Sequence, residues 1–314
     1  MAITSVALAS CAGAKKYPVA PTSDTVDFYF GEKIADPYRP LENDTAAETL
    51  AWVEQERALT EDYLSKIPFR GALRQRISDF NNYVKQGAPF LGADGRYYFF
   101  RNDGLKNQSV LYRSDKPVGG KEEVFLDPNS LSDDGTVALT GTSMSNDGRY
   151  MAYTISRSGS DWTEIYVLDT ETGRLLDDHI EWAKFTDAAW WKDGFFYSAY
   201  DRPVAGKEFS NANENHRIYY HKLGTPQSSD VLAFEDKEHP LHFHTAYVPE
   251  NERSLFVFVG GQGFGEGMMV KDLTRPDAKW VVMEPSQDYS NSVVDVIGDD
   301  VYILSLIHIS EPTR

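Results

Sequence analysis

Two periods of apolar residues divide the chain. Leu50, Val53, Leu59, Tyr63 and Leu64 recur at near-helical spacing as far as Pro68. That spacing puts an apolar stripe on one face of a helix, and the proline ends it. Thr45 and Glu48, in TAAE, have capping-box spacing and mark the expected start. Leu73, Ile77 and Phe80 predict a second, shorter helix over residues 72–80. Before both, residues 17–40 are proline-rich and read as extended. Past Tyr83 the period drops to two. Short runs rich in Tyr, Phe and Val alternate with Gly, Asn and Asp turns, the pattern of β-strands. The change of period places a boundary near residue 82.

The β region repeats itself. Asp94-Gly95-Arg96-Tyr97 leads into YYFFR, and Asp147-Gly148-Arg149-Tyr150 leads into YMAYTIS. Asp193-Gly194, the PENERS turn at Asn251 and Gly298-Asp299-Asp300 introduce similar runs. These starts fall about fifty residues apart, room for four short strands and their turns. A second strand signal follows each (SVLYRSDK, EIYVLDTETG, RIYYHKLGT, GMMVKDLTR), and then a third. The Asp-Gly and Asn-Asp dipeptides suit positive φ in tight hairpins. Four strands per period make a β-propeller blade. The expected fold is mainly β: a partial β-propeller of about four blades plus part of a fifth, preceded by a short α-helical segment.

Composition narrows the function. Aromatics make up 13% of the 314 residues, which suits β structure. The net charge is −17, and so acidic a surface repels phosphate backbones, so no nucleic-acid partner is expected. No apolar run is long enough to span a membrane as a helix. The one cysteine, Cys11, excludes a disulfide within the chain. It follows VALAS and precedes Ala12-Gly13-Ala14, which resembles a bacterial lipoprotein cleavage box. On that reading Cys11 is lipidated, and the protein is a periplasmic or membrane-anchored lipoprotein. On the other, residues 1–16 are a tail with a stray cysteine, and the protein is cytoplasmic. At the opposite end LSLIHISEPTR, residues 304–314, breaks the preceding pattern and resembles a translated sequencing-library adapter. The expected division is a signal or tail over 1–16, a helical segment over 17–82, a partial propeller over 83–303 and a non-native tail over 304–314.

Three stretches say more. ADPYRPLENDTAAETLAWVEQERALTEDYL, from Ala35, SNDGRYMAYTISRSGSDWTEIYVLDTETGRLL, from Ser145, and AKFTDAAWWKDGFFYSAYD, from Ala183, resemble the N-terminal part of the prolyl oligopeptidase family of serine peptidases. HKLGTPQSSDVL, from His221, continues in register, and Pro40 stands where the family more often has an aromatic. The resemblance covers about residues 17–303. It implies a seven-bladed propeller capping an α/β-hydrolase domain, with the N-terminal segment packed on the hydrolase side. It also implies a size filter that admits short proline-containing peptides, which are cleaved after proline. The Ser, Asp and His of the triad would all lie beyond Ile303, in a catalytic domain missing here. The chain as given would then be inactive alone. The implied chemistry uses no cofactor and no metal. Phe185 matches a family phenylalanine that lines outer substrate subsites; the alternative is an inner-strand core aromatic. The DPYR and GSDWTE segments favour the post-proline branch over a relative that cleaves after basic residues.

Other candidates are weaker. No Gly-x-Ser-x-Gly elbow occurs; GTSMSN, from Gly141, lacks its second glycine and precedes a turn rather than a helix. His239, His242 and His244, in HPLHFH, lack a nearby cysteine or a placed carboxylate and read as exposed strand histidines. GGQGFGEG, from Gly260, leads into a strand rather than a helix, so it reads as a flexible inter-strand loop. Trp162 and Trp190 read as packing between blades. The competing function is a non-catalytic propeller that binds a protein or ligand at its rim.

Overall fold

The structure, a computed structural model, describes residues 16–204, 208, 212–261 and 263–305. Cys11 and residues 306–314 lie outside the described residues. The chain divides into two units, residues 1–79 with 203–211 and residues 80–202 with 212–314.

In the first unit β1 (Val26–Tyr29) and β2 (Glu32–Ala35) form a hairpin. The Arg39 guanidinium ties it to the following turn through Asp27, Asp36 and Glu42. Helix α1 (Ala47–Ser65) precedes Pro68, and α2 (Arg70–Asn81) follows it. The expected capping box does not form. Asn43 Oδ1 accepts from both the backbone N–H and the hydroxyl of Thr45. Thr45 is thereby held in a turn, and Ala46 becomes the N-cap with no side-chain hydrogen bond. The apolar positions of both helices, Leu50, Val53, Tyr63, Leu73, Ile77 and Phe80, are exposed. Among the described residues no helix is long and apolar enough to cross a membrane.

The second unit is a succession of four-stranded antiparallel meanders. The first has an interrupted inner strand, β3 (Lys85–Gln86) and β4 (Phe90–Leu91), followed by β5 (Tyr97–Asn102), β6 (Val110–Ser114) and β7 (Glu122–Leu126). The second is β8 (Val137–Met144), β9 (Tyr150–Arg157), β10 (Trp162–Asp169) and β11 (Leu175–Lys184). The third is β12 (Ala189–Trp191), β13 (Gly194–Ala199), β14 (Arg217–Lys222) and β15 (Val231–Glu235). The fourth is β16 (Phe243–Tyr247), β17 (Ser254–Gly260), β18 (Gly267–Asp272) and β19 (Val281–Glu284). A hairpin, β20 (Asn291–Ile297) with β21 (Asp300–Ser305), starts a fifth. It supplies two strands of that blade. One bridge, Ala183 opposite Ala199, joins the second and third meanders into one sheet.

The apolar core lies between blades. Tyr98 and Leu111 of the first blade pack with Met151, Tyr153 and Ile155 of the second. Ile165, Val167 and Ile180 of the second pack with Trp190, Phe195 and Tyr197 of the third. Phe196, Ile218 and Phe234 of the third pack with Leu255 and Val257 of the fourth. Alternation along each strand therefore feeds two different cores. A β-propeller results.

The Asp-Gly-Arg-Tyr units turn each inner strand into the next. Asp147 Oδ1 accepts from the Arg149 N–H at 3.0 Å and the Ser145 hydroxyl at 2.7 Å. Gly148 has φ +72°, and a Cβ there would meet the backbone of Ala93 and Asp94 in the neighbouring turn. Gly95 has φ +78° with open space around it. The dipeptide rule does not extend to the next two blades. There Lys192 and Glu252 take the left-handed conformation at φ +48° and +54°. Glu252 compensates by bracing three turns. Its carboxylate accepts from the Asn146 side chain at 3.0 Å and the Lys192 N–H at 3.3 Å, and its carbonyl accepts from the Trp191 indole at 3.1 Å.

Charge also crosses one seam. His221 is wholly buried between Asp230, 2.7 Å from Nδ1, and Asp178 of the second blade, 3.1 Å from Nε2. Burial alone would lower its pKa. The hydrogen bond and charge of Asp230, then those of Asp178, outweigh that and hold the pKa above its ordinary value.

Two predictions follow from these contacts. Gly148→Ala must pay both the left-handed strain of about 1–2 kcal/mol and a backbone collision, whereas Gly95→Ala meets only the strain. Urea unfolding should show the larger loss at Gly148, and equal losses would contradict the close approach. His221→Leu leaves two buried carboxylates unpaired and should cost about 3–5 kcal/mol. The imidazolium contributes fully below the unfolded histidine value of about 6.5, and its contribution fades as pH rises through the raised folded value. Wild type should therefore lose stability relative to His221→Leu on going alkaline; a widening gap would refute the protonated strut.

Candidate functional site

The inner strands of successive blades face a common cavity of about 630 Å³. Ser143 of β8, Trp190 of β12, Ala246 of β16 and Ser292 of β20 all line it. Its wall is formed largely of small and polar residues, with Asp187 and Glu250 supplying negative charge.

Phe185 sits where the chain leaves β11 to cross to the third blade. It is 47% exposed, with φ +52°. It is thus a half-exposed ring. Its ring lies 6.5 Å from Tyr200, edge to face, and 6.1 Å from Phe243 at the start of β16. Trp162 extends the group, 6.4 Å from Tyr200 and 5.5 Å from Trp182. The Lys184 ammonium lies 4.8 Å from the Trp162 ring and 5.3 Å from the Phe185 ring. Trp162 is therefore part of this rim as well as packing. Trp190 is buried between blades, its indole N–H donating to the Ser143 carbonyl at 3.0 Å.

Two buried histidines hold the rim in place. The His216 ring accepts at Nδ1 from the His244 N–H, 2.8 Å away, and donates from Nε2 to the Lys184 carbonyl, 2.9 Å away. Burial lowers its pKa to about 4, so the ring is neutral, as that pairing requires. His244 Nδ1 in turn donates to the His216 carbonyl at 2.9 Å. The residue preceding Phe185, the start of β14 and the inner strand β16 are thereby locked together. Tyr200 lies against His216 with ring centroids 4.3 Å apart and planes tilted by 31°, and completes the floor.

The sequence-level candidates land in different places. His242 and His244 are buried, at 6% and 0% exposure, which corrects their reading as exposed strand histidines. Phe234 of β15 packs edge-on against His244 at 4.9 Å, and Trp280 packs in turn on Phe234. A carboxylate is also placed beside them: Asp236 Oδ2 lies 2.9 Å from His239 Nδ1. Ser143 and Ser145 spend their hydroxyls on the Ala188 carbonyl and the Asp147 turn. The glycine-rich segment before β18 is a close-packed strap rather than a loose loop. Gly265 and Glu266 N–H groups donate to the Gln287 and Tyr289 carbonyls, and a Cβ at Gly263 or Gly265 would collide with that backbone. His216, Tyr200 and Phe243 were not singled out from the sequence.

Comparison with known proteins now identifies the architecture. Residues 18–306 match the N-terminal β-propeller domain of prolyl oligopeptidase. A prolyl endopeptidase of Elizabethkingia miricola is 42% identical over 290 residues, covering 92% of this chain and 40% of the relative. Prolyl oligopeptidase A of Galerina marginata is 35% identical over 297 residues, covering 84% and 39%. Among solved structures, prolyl oligopeptidase B of Galerina marginata, bound to a 35mer hydrolysis and macrocyclization substrate, superposes with TM-score 0.75 at 29% identity. That match covers 92% of this chain and 44% of that one. The chain thus spans about 40% of the length of the curated relatives it matches. It belongs to the prolyl oligopeptidase family and carries that family's N-terminal β-propeller domain.

Proposed function

We propose that this chain is the N-terminal part of a serine endopeptidase that cleaves short peptides after proline. The supporting observation is the 42% identity to a prolyl endopeptidase across 92% of the chain. The propeller restricts access to an α/β-hydrolase domain that carries the Ser, Asp and His beyond Ile303. There the serine would attack the scissile carbonyl, with the histidine as general base and the aspartate orienting it. The exposed stripes of α1 and α2 would pack on that domain and be dehydrated by it. Phe185 would meet the apolar ring of a proline-containing peptide, with Tyr200 and Phe243 fixing its pose. Cys11 would carry a lipid anchor, placing the enzyme at a bacterial membrane or in the periplasm.

The test is a peptidase assay on the product of the uninterrupted gene, using blocked proline-containing reporters. Hydrolysis on the carboxyl side of proline is expected. Phe185→Ala should raise KM roughly tenfold, about 1.4 kcal/mol, for peptides extended beyond the proline, with kcat nearly unchanged. A protein that ignores proline-containing reporters would overturn the proposal.

A further inference from the structure

Asp236, His239 and His242 bring one donor atom each to within 4.8 Å of one another. They lie on the segment between β15 and β16, where the chain crosses from the third blade to the fourth. Nothing in the proposed peptidase chemistry uses them. We propose that they form a binding site for a borderline transition-metal ion of the Zn²⁺ or Co²⁺ class.

His242 carries the argument. It is 6% exposed, and its Nδ1 has no hydrogen-bond partner. That atom points toward Asp236 Oδ2 from 3.7 Å, too far for a hydrogen bond. Two donors held about 2.0–2.1 Å from a tetrahedral zinc lie about 3.4 Å apart, so a metal ion fits between them with little movement. A buried, unsatisfied ring nitrogen facing a carboxylate costs free energy that a cation removes.

The surroundings are those of a ligand set held from behind. Asp236 Oδ1 accepts the Glu238 and His239 N–H groups at 3.0 and 3.2 Å, which leaves Oδ2 turned toward the rings. The Gln287 side-chain amide lies 3.3 Å from His242 Nε2. The amide nitrogen is the atom that faces the ring here; turned over about its terminal bond, the amide would present its oxygen, accept the Nε2 proton and leave the Nδ1 lone pair free for metal. His239, half exposed, stacks on His242 at 4.6 Å with its Nδ1 2.9 Å from Asp236 Oδ2. It completes the site by tilting out of the stack, which its exposure permits. Two imidazoles and one carboxylate suit zinc, cobalt or nickel rather than magnesium or calcium. The bound ion would clip the blade crossover to the segment carrying Gln287.

The test titrates Co²⁺ and Zn²⁺ into the purified chain, following the visible Co²⁺ bands and the displacement of Co²⁺ by Zn²⁺. One equivalent should bind. Affinity should fall tenfold or more in His239→Ala and in Asp236→Asn, while His179→Ala, at a histidine elsewhere on the propeller, binds as the unsubstituted chain does. His242→Ala should lose the bands as well. Because that buried position also serves packing, the half-exposed His239 is the decisive variant. Failure of the unsubstituted chain to take up either ion would overturn the proposal. So would His239→Ala and Asp236→Asn variants that bind as tightly as the unsubstituted chain.

Discussion

A four-stranded sheet has two faces and can bury neither by itself. Each blade here solves this by lending one face to the blade before it and the other to the blade after it. Ile155 of β9 looks back toward Leu111, while Ala152 of the same strand joins Ile165 and Phe195 on the forward side. The three apolar clusters are therefore seams, and every other feature is arranged relative to them. The inner strands converge on one cavity because seams of this kind turn each blade by a similar angle about one axis. The turns out of the inner strands lie at one end of that axis and the blade crossovers at the other.

The crossover end carries most of the chemistry-bearing residues. Phe185, Tyr200 and Phe243 come from three separate segments; His216 and His244 tie the segments of Phe185 and Phe243 by hydrogen bonds to the backbone, and Tyr200 joins them through its ring against His216. Desolvation does useful work there: a charged His216 could not accept from the His244 N–H. His221 shows the opposite outcome in a comparably buried place, since two carboxylates outweigh the same desolvation. The fate of a buried histidine is set by what faces it, not by burial alone.

The periodicity of the sequence was enough to place both helices and the blade succession. Each depends on residues close in sequence, and apolar spacing records that directly. The capping box expected at Thr45 does not form because Asn43 competes for the same hydroxyl, a local contest that residue spacing does not record. The turn rule held at Gly95 and Gly148 but not at Lys192 or Glu252, where side-chain bracing replaces glycine. The burial of His242 and His244, and the carboxylate beside His239, were invisible from spacing. Phe234 approaches His244 from another strand, and the bend that presents Asp236 exists only in three dimensions. Phe185 was found by likeness to a family, while its supporting residues needed coordinates.

Glu252 has a mechanical meaning. Its side chain and carbonyl reach the turn regions of the second and third blades from the fourth, so one residue skips across an intervening sheet. A brace of that kind resists any change in the angle between the blades it spans. Spreading them apart there would break all three bonds together. Across the three blades it joins, that rim behaves as a hoop rather than a hinge.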